Sequence, residues 1–207
     1  MINNLNERFS VALLAEKLDR YNTHMLPAIF LDRDGVIIEN RSEYVRSWAD
    51  VRFLPGALPA LARLKDSPYI IVIITNQAGI GRGLISLQTA EQINAQLIRE
   101  IEAAGGRVDG LFMCPHKPDD GCDCRKPQPG LILQAARALD IRLEDSLIIG
   151  DNLSDLQAGM AARVGQVVLV RTGLGAEFAS QLQAAGLSDT PVYNDLAQAL
   201  TALVKST

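Results

Sequence analysis

The chain has 207 residues, 48% of them hydrophobic, and its 24 acidic against 20 basic side chains leave a formal net charge of −4. That length and apolar share suffice for the core of one ordinary domain, and the weak acidic balance excludes a general electrostatic grip on nucleic acid. No apolar run reaches the roughly 20 residues that a bilayer span needs, so no membrane partner is expected.

Residues 1–26 are predicted to form a helical extension. Phe9, Leu13, Leu14 and Leu18 recur at helical spacing. Charges flank the apolar stretch on both sides and no small-residue cleavage pattern follows, so it is not a secretory signal and the expected compartment is the cytoplasm. Residues 27–207 read as one domain. Runs at 28–32 and 69–75 are continuous, apolar and β-branched, as in strands buried on both faces; 108–113, 146–151 and 166–171 continue the series. Helices are predicted over 56–66, 86–104, 130–139, 153–162, 176–185 and 194–204, with Ser86 as a cap and Gly105 and Gly106 as a stop. Strand alternating with helix implies an α/β fold, a Rossmann-like doubly wound parallel sheet. Right-handed crossovers then bring the strands' C-terminal ends to one edge, where such sheets bind ligands.

Four loops on that edge carry chemistry. "DRDG" supplies Asp32 and Asp34, with Gly35 to turn the chain; "ITNQAGIGRG" supplies Thr75, Asn76, Gln77 and backbone amides; "CRKPQPG" supplies Arg125 and Lys126; "IIGDNLSD" supplies Asp151 and Asp155. Each alone has a bland reading as a turn, a helix cap or a solvated charge. Together they complement one another. Carboxylates hold a hard cation such as Mg²⁺, while hydroxyl, amides and lysine hold phosphate oxygens. The combination points to phosphoryl chemistry.

In their order, these stretches resemble the four motifs of the haloacid dehalogenase superfamily of phosphatases. The resemblance spans about Pro27 to Asp155. It implies Asp32 as nucleophile, Asp34 as general acid/base, and Thr75 and Lys126 as holders of the transferring group. It also implies Mg²⁺ on Asp32, the backbone carbonyl of Asp34 and Asp151, with Asp155 behind them. Val36 stands where many members carry threonine, a known alternative.

All three cysteines and one of the two histidines fall in "CPHKPDDGCDC". Cys114, His116, Cys122 and Cys124 make a complete four-ligand set for a structural Zn²⁺, in a loop (114–124) leading straight into Arg125 and Lys126. A zinc knuckle for nucleic acid stays open as an alternative, but the loop lacks the aromatic and basic surround of such modules. With Arg-Lys-Pro after it, the loop is similar to two branches of the superfamily, the heptose-bisphosphate and the histidinol-phosphate phosphatases, neither with a large cap. "TNQAGIGRG", "RKPQPG" and "VLVRTG" favour the heptose branch, and with it a role in heptose supply for lipopolysaccharide. Asn152 departs from it where some members carry lysine, as does the length of "ENRSEYVRSW". Asn40, Arg41, Tyr44, Asn76, Gln77, Arg82, Arg125 and Lys126 are the expected substrate contacts, and Arg171 a further candidate. The expectation is a monomeric enzyme for a small phosphorylated sugar. The alternatives are a histidinol-phosphate or other phosphomonoester phosphatase, and a catalytically inactive zinc-loop scaffold.

Overall fold

Strand β1 (Ala28–Leu31) has no polar side chain, and all four of its residues are completely buried. Such a segment suits only a strand covered on both sides. In the computed structural model, which describes residues 25–204, β1 lies in the middle of a six-stranded sheet. The other strands are β2 (Ile70–Asn76), β3 (Gly110–Cys114), β4 (Leu147–Gly150), β5 (Gln166–Val170) and β6 (Val192–Tyr193), in the order β3-β2-β1-β4-β5-β6. Every pairing is parallel, with Ala28 opposite Ile70 and Ile29 opposite Leu147.

The helices are α1 (Ala57–Ala62), α2 (Ala78–Gly81), α3 (Leu87–Ala103), α4 (Gly130–Ala138), α5 (Leu153–Ala161), α6 (Gly175–Ala179) and α7 (Leu196–Leu203). The strands' two-residue period divides them between two layers. Ile29, Leu31, Ile71 and Ile73 face one way, onto Leu61, Ile93, Leu97, Ile101 and Leu200 of α1, α3 and α7. Ala28, Phe30, Val72 and Ile74 face the other way, onto Leu131, Ile132, Ala135 and Ala158 of α4 and α5. Helix α3 begins where Ser86 Oγ accepts from the Thr89 amide at 3.0 Å and is closed by Gly105 at φ +90°.

From β1 the chain winds outward through β2 to β3, then returns to set β4 against the other side of β1. Between the C-terminal ends of β1 and β4 the winding reverses, which leaves the crevice that ligands use in open α/β sheets. Among the described residues no large cap covers it. Between Asp34 and α1 the chain forms a loop with one 3₁₀ turn at Trp48–Asp50 and a bridge from Ile38 to Phe53.

The predicted strands and the Rossmann-like topology stand. The helix expected over 176–185 ends at Ala179, because the chain then curls to bury Leu182 and Leu187 against Leu156 and Leu169. The helix expected over 56–66 stops at Ala62. Neither α2 nor β6 was anticipated; both are too short, at 4 and 2 residues, to show a period. The extension expected at 1–26 lies almost wholly outside the described residues. Among the described residues no helix is long and apolar enough to cross a membrane.

Candidate active site

Asp32 leaves β1 with its amide bonded to the Ile149 carbonyl of β4 at 3.0 Å, so it hangs over the reversal point. The turn after it requires glycine: Gly35 has φ +85°, and a Cβ there would lie 2.0 Å from Asp151 Oδ2. Gly173 presses on the same oxygen from the other side, where its Cβ would lie at 2.1 Å. Two glycine backbones thus frame the Asp151 carboxylate, which accepts from Asn40 Nδ2 and from the Leu174 amide, both at 2.8 Å. Lys126 Nζ reaches Asp32 Oδ1 at 2.7 Å, Asp155 Oδ1 at 2.6 Å and the Ile74 carbonyl at 3.0 Å. Asp155 is fixed by accepting from the Asn152 amide at 3.1 Å, at the start of α5.

Carboxylate oxygens of Asp32, Asp151 and Asp155 lie within 4.8 Å of one another, and all three residues are buried or nearly so. Burial raises Asp32 well above the ordinary carboxyl range; Lys126 opposes this, while Asp155, Asp151 and Asp34 push it further. Asp151 is pushed up to about 7, first by burial and then by Asp155. Burial works against the charge on Lys126, but Asp155 and Asp32 outweigh it and hold the ammonium above its usual range. Three crowded carboxylates therefore face one ammonium. A hard divalent cation with oxygen ligands fits that donor set and supplies the missing positive charge.

Asp34 stands on the cleft wall and accepts from Gln77 Nε2 at 3.1 Å and from Thr75 Oγ1 at 3.4 Å. Arg33, which the sequence reading passed over, grips the same carboxylate from behind at 3.0 and 3.1 Å. Its only sequence signal was its place between two acids. Asn40, Arg41, Tyr44, Gln77, Arg125 and Lys126 line the cleft. Asn76 lines it too, but its amide is occupied in holding the Lys126 backbone, donating to the carbonyl and accepting from the N–H at 3.1 Å each. Arg82 is not among the lining residues: it is exposed at the end of α2. Arg171 is likewise exposed, with its amide bonded to Tyr193.

Cys114, His116, Cys122 and Cys124 converge with their ligand atoms within 4.8 Å of one another. Sulfur–sulfur separations are 3.1, 3.5 and 3.7 Å, and His116 Nδ1 lies 3.5 and 3.3 Å from Cys114 and Cys124. Two sulfurs at ~2.3 Å from one tetrahedral ion stand about 3.8 Å apart. The cage is therefore the size of a single small metal ion. Burial pushes the Cys114 thiol up and the Cys124 thiol to about 12; burial also acts on Cys122, but the Arg125 amide and the neighbouring thiols bring it down. The cage also holds the active-site loop, since Arg125 Nη1 donates to the His116 carbonyl at 3.2 Å.

A doubly wound sheet that gathers an aspartate pair, a buried lysine and a cation-ready carboxylate cluster at its reversal point defines a phosphoryl-transfer hydrolase. Comparison with known proteins agrees. Residues 123–199 match a family model described as HAD-hydrolase-like. D-glycero-beta-D-manno-heptose-1,7-bisphosphate 7-phosphatases from Photorhabdus laumondii and Bordetella bronchiseptica are 41% and 44% identical, each match covering 82% of this chain and 95% and 93% of theirs. The crystal structure of D,D-heptose 1,7-bisphosphate phosphatase from B. bronchiseptica, complexed with magnesium and phosphate, superposes with a TM-score of 0.81 at 40% identity, covering 88% of this chain and 100% of that one. The chain belongs to the haloacid dehalogenase-like hydrolase family that includes these heptose-bisphosphate phosphatases.

Proposed function

We propose that the protein is a Mg²⁺-dependent phosphatase that removes the 7-phosphate of D-glycero-β-D-manno-heptose 1,7-bisphosphate, as a cytoplasmic monomer. The observation that carries this reading is Asp32, held by Lys126 at 2.7 Å beside Asp34 in a cleft whose wall includes Arg41 and Arg125. Relatives 36–44% identical carry that activity in their names. Asp32 attacks phosphorus; the bond from phosphorus to the sugar oxygen breaks, its electron pair stays on that oxygen, and Asp34 gives it a proton. Water then attacks the aspartyl-phosphate and gives its proton to Asp34, and the bond from Asp32 to phosphorus breaks to release inorganic phosphate. Thr75 and Lys126 hold the transferring group as its charge develops. Asp32, the Asp34 carbonyl and Asp151 are the residues for Mg²⁺, with Asp155 behind; the ion supplies charge neutralisation where nucleophile and phosphate meet.

Zn²⁺ is the proposed occupant of the thiolate cage. Four protein ligands would leave no position for water, so its role would be structural, and its binding would displace the protons that burial holds on Cys114 and Cys124. An inactive scaffold has no use for a lysine buried against two carboxylates, an arrangement that burial makes costly.

The substrate decides the branch. A heptose bisphosphate offers a second, remote phosphate to the arginines of the cleft wall, whereas histidinol phosphate brings a cationic amine to them. The heptose 1,7-bisphosphate should exceed histidinol phosphate by at least ~10²-fold in kcat/KM, about 2.7 kcal/mol of discrimination. Equal efficiencies in one metal-loaded preparation would overturn the heptose assignment and leave the phosphatase standing.

A further inference from the structure

Arg33 is the bulkiest fully buried side chain among the described residues, 1% exposed, and the reaction as written gives it no part. It lies between the nucleophile and the acid/base. Its Nε and Nη2 donate to Asp34 Oδ2 and Oδ1 at 3.0 and 3.1 Å, a two-pronged grip on one carboxylate. The remaining nitrogen, Nη1, donates to Asn94 Oδ1 at 2.7 Å. Asn94 sits on the buried stripe of α3 among Ala90, Ile93, Leu97 and Ile101, and its own amide points to Met113 Sδ at 3.5 Å. The Arg33 backbone is equally fixed, since its carbonyl accepts from Ile37 and Ile38 at 3.0 Å each. Packing alone would be served by an apolar side chain of similar length, without the desolvation of a guanidinium.

We infer that Arg33, braced by Asn94, is a positioning residue for Asp34: its two-pronged grip aims the carboxyl into the cleft, toward the oxygen that leaves. This rests on the reading of Asp34 as general acid/base. A fork on both oxygens fixes the orientation of the carboxyl, and a proton is handed over only along a well-aimed line. Its loss therefore slows the step in which a poor leaving group needs that proton. A guanidinium that only held the loop together would slow all substrates alike.

The test uses the full-length, Mg²⁺-loaded enzyme with two substrates: heptose 1,7-bisphosphate, whose sugar oxygen needs a proton to leave, and p-nitrophenyl phosphate, whose phenolate does not. Arg33→Met should lower kcat on the bisphosphate by ~10²-fold with KM within ~2-fold, and lower kcat on the aryl ester by no more than ~3-fold. Asn94→Leu should move the same ratio in the same direction by a smaller factor, and Arg33→Lys should restore part of it. Because Arg33 and Asp34 act as a unit, Arg33→Met on an Asp34→Asn background should add little. Equal losses on both substrates, or full additivity with Asp34→Asn, would overturn the inference. Should Arg33→Met fail to fold, Arg33→Lys and Asn94→Leu carry the same ratio test. A leaving-group dependence in Asp34→Asn but in none of these variants overturns the role of Arg33 alone; its absence in Asp34→Asn overturns the acid/base reading, and this inference with it.

Discussion

The carboxylate cleft and the thiolate cage are both suited to metal, but the chain builds them in opposite ways. The cage takes its four ligands from the eleven residues 114–124, starting at the last residue of β3. The cleft is a product of topology. Lys126 meets Asp32 across 94 positions of sequence, and Asn40 meets Asp151 across 111. The cage closes on itself with four protein ligands. The cleft keeps its carboxylates facing open space lined by amides and arginines, where a substrate can enter. A site that must leave room for chemistry is assembled by the whole fold, and a site that only braces a loop is assembled within it. Changes in the cleft should therefore remove activity and spare the fold, and changes in the cage should loosen the loop and lower activity only through it.

The largest effect is expected at Asp32. Asp32→Asn should lower turnover by ~10⁴-fold or more, the scale of losing a covalent nucleophile. The mutant should keep its zinc and its thermal midpoint without Mg²⁺, because one of three crowded carboxylates has been removed. Turnover and a melting curve on one sample check both halves; undiminished turnover would end the proposed mechanism.

The next effect concerns pH. Asp151, raised to about 7, binds a proton more tightly folded than unfolded, since an ordinary aspartate titrates near 3.8. The stability tied to that proton is fully present below about 4 and is lost as pH rises through about 7. Mg²⁺ competes with the proton, so its apparent affinity should fall by about tenfold per unit as pH drops below 7. Melting curves at pH 5 and 8 should show Mg²⁺ stabilising the protein much more at pH 8. A magnesium effect independent of pH would refute the crowding described for the cleft.

The cage should answer differently. Cys122→Ser should reduce zinc below one per chain and loosen the hold on Arg125, whose guanidinium bonds the His116 carbonyl. Activity should drop about tenfold, within the range seen when groups supporting a metal site are lost, and more through KM than kcat. Elemental analysis finding no zinc in the unmutated protein, prepared without chelators, would contradict the proposed ion.

These contrasts match what was legible in the sequence. The cage was readable outright, because spacing within one loop survives any fold. Asp32, Asp34, Thr75, Lys126 and Asp151 were readable as motif residues, and the alternation of strand and helix placed them on one edge. The partners that make them a site were not. Nothing in a string of residues says that Gly173 frames Asp151, that Asn76 holds the Lys126 backbone, or that Asn94 braces Arg33. Those contacts span tens of residues and depend on which faces α3 and the loop after β5 present. The helix expected at 176–185 failed for a related reason. Leu182 and Leu187 find their burial against Leu156 and Leu169, a tertiary contact that local propensity does not record.

The smallest effect is expected where sequence and structure disagree. "GIGRG" put Arg82 among the substrate contacts, since a cation after a phosphate-side loop suits a remote phosphate. In the fold, Ala78–Gly81 coil into α2 and leave Arg82 exposed at its end, not among the residues that line the cleft. Arg125, in contrast, lines the cleft and is braced from behind by the cage. Arg82→Ala should therefore change kcat/KM for the bisphosphate by no more than ~2-fold, the scale of a surface substitution of about 0.5 kcal/mol. Arg125→Ala should cost about tenfold, through KM. Measuring the two variants side by side sharpens the division between cleft and surroundings. Equal losses would mean that the end of α2 swings over the bound sugar, and that the cleft extends beyond the residues that line it here.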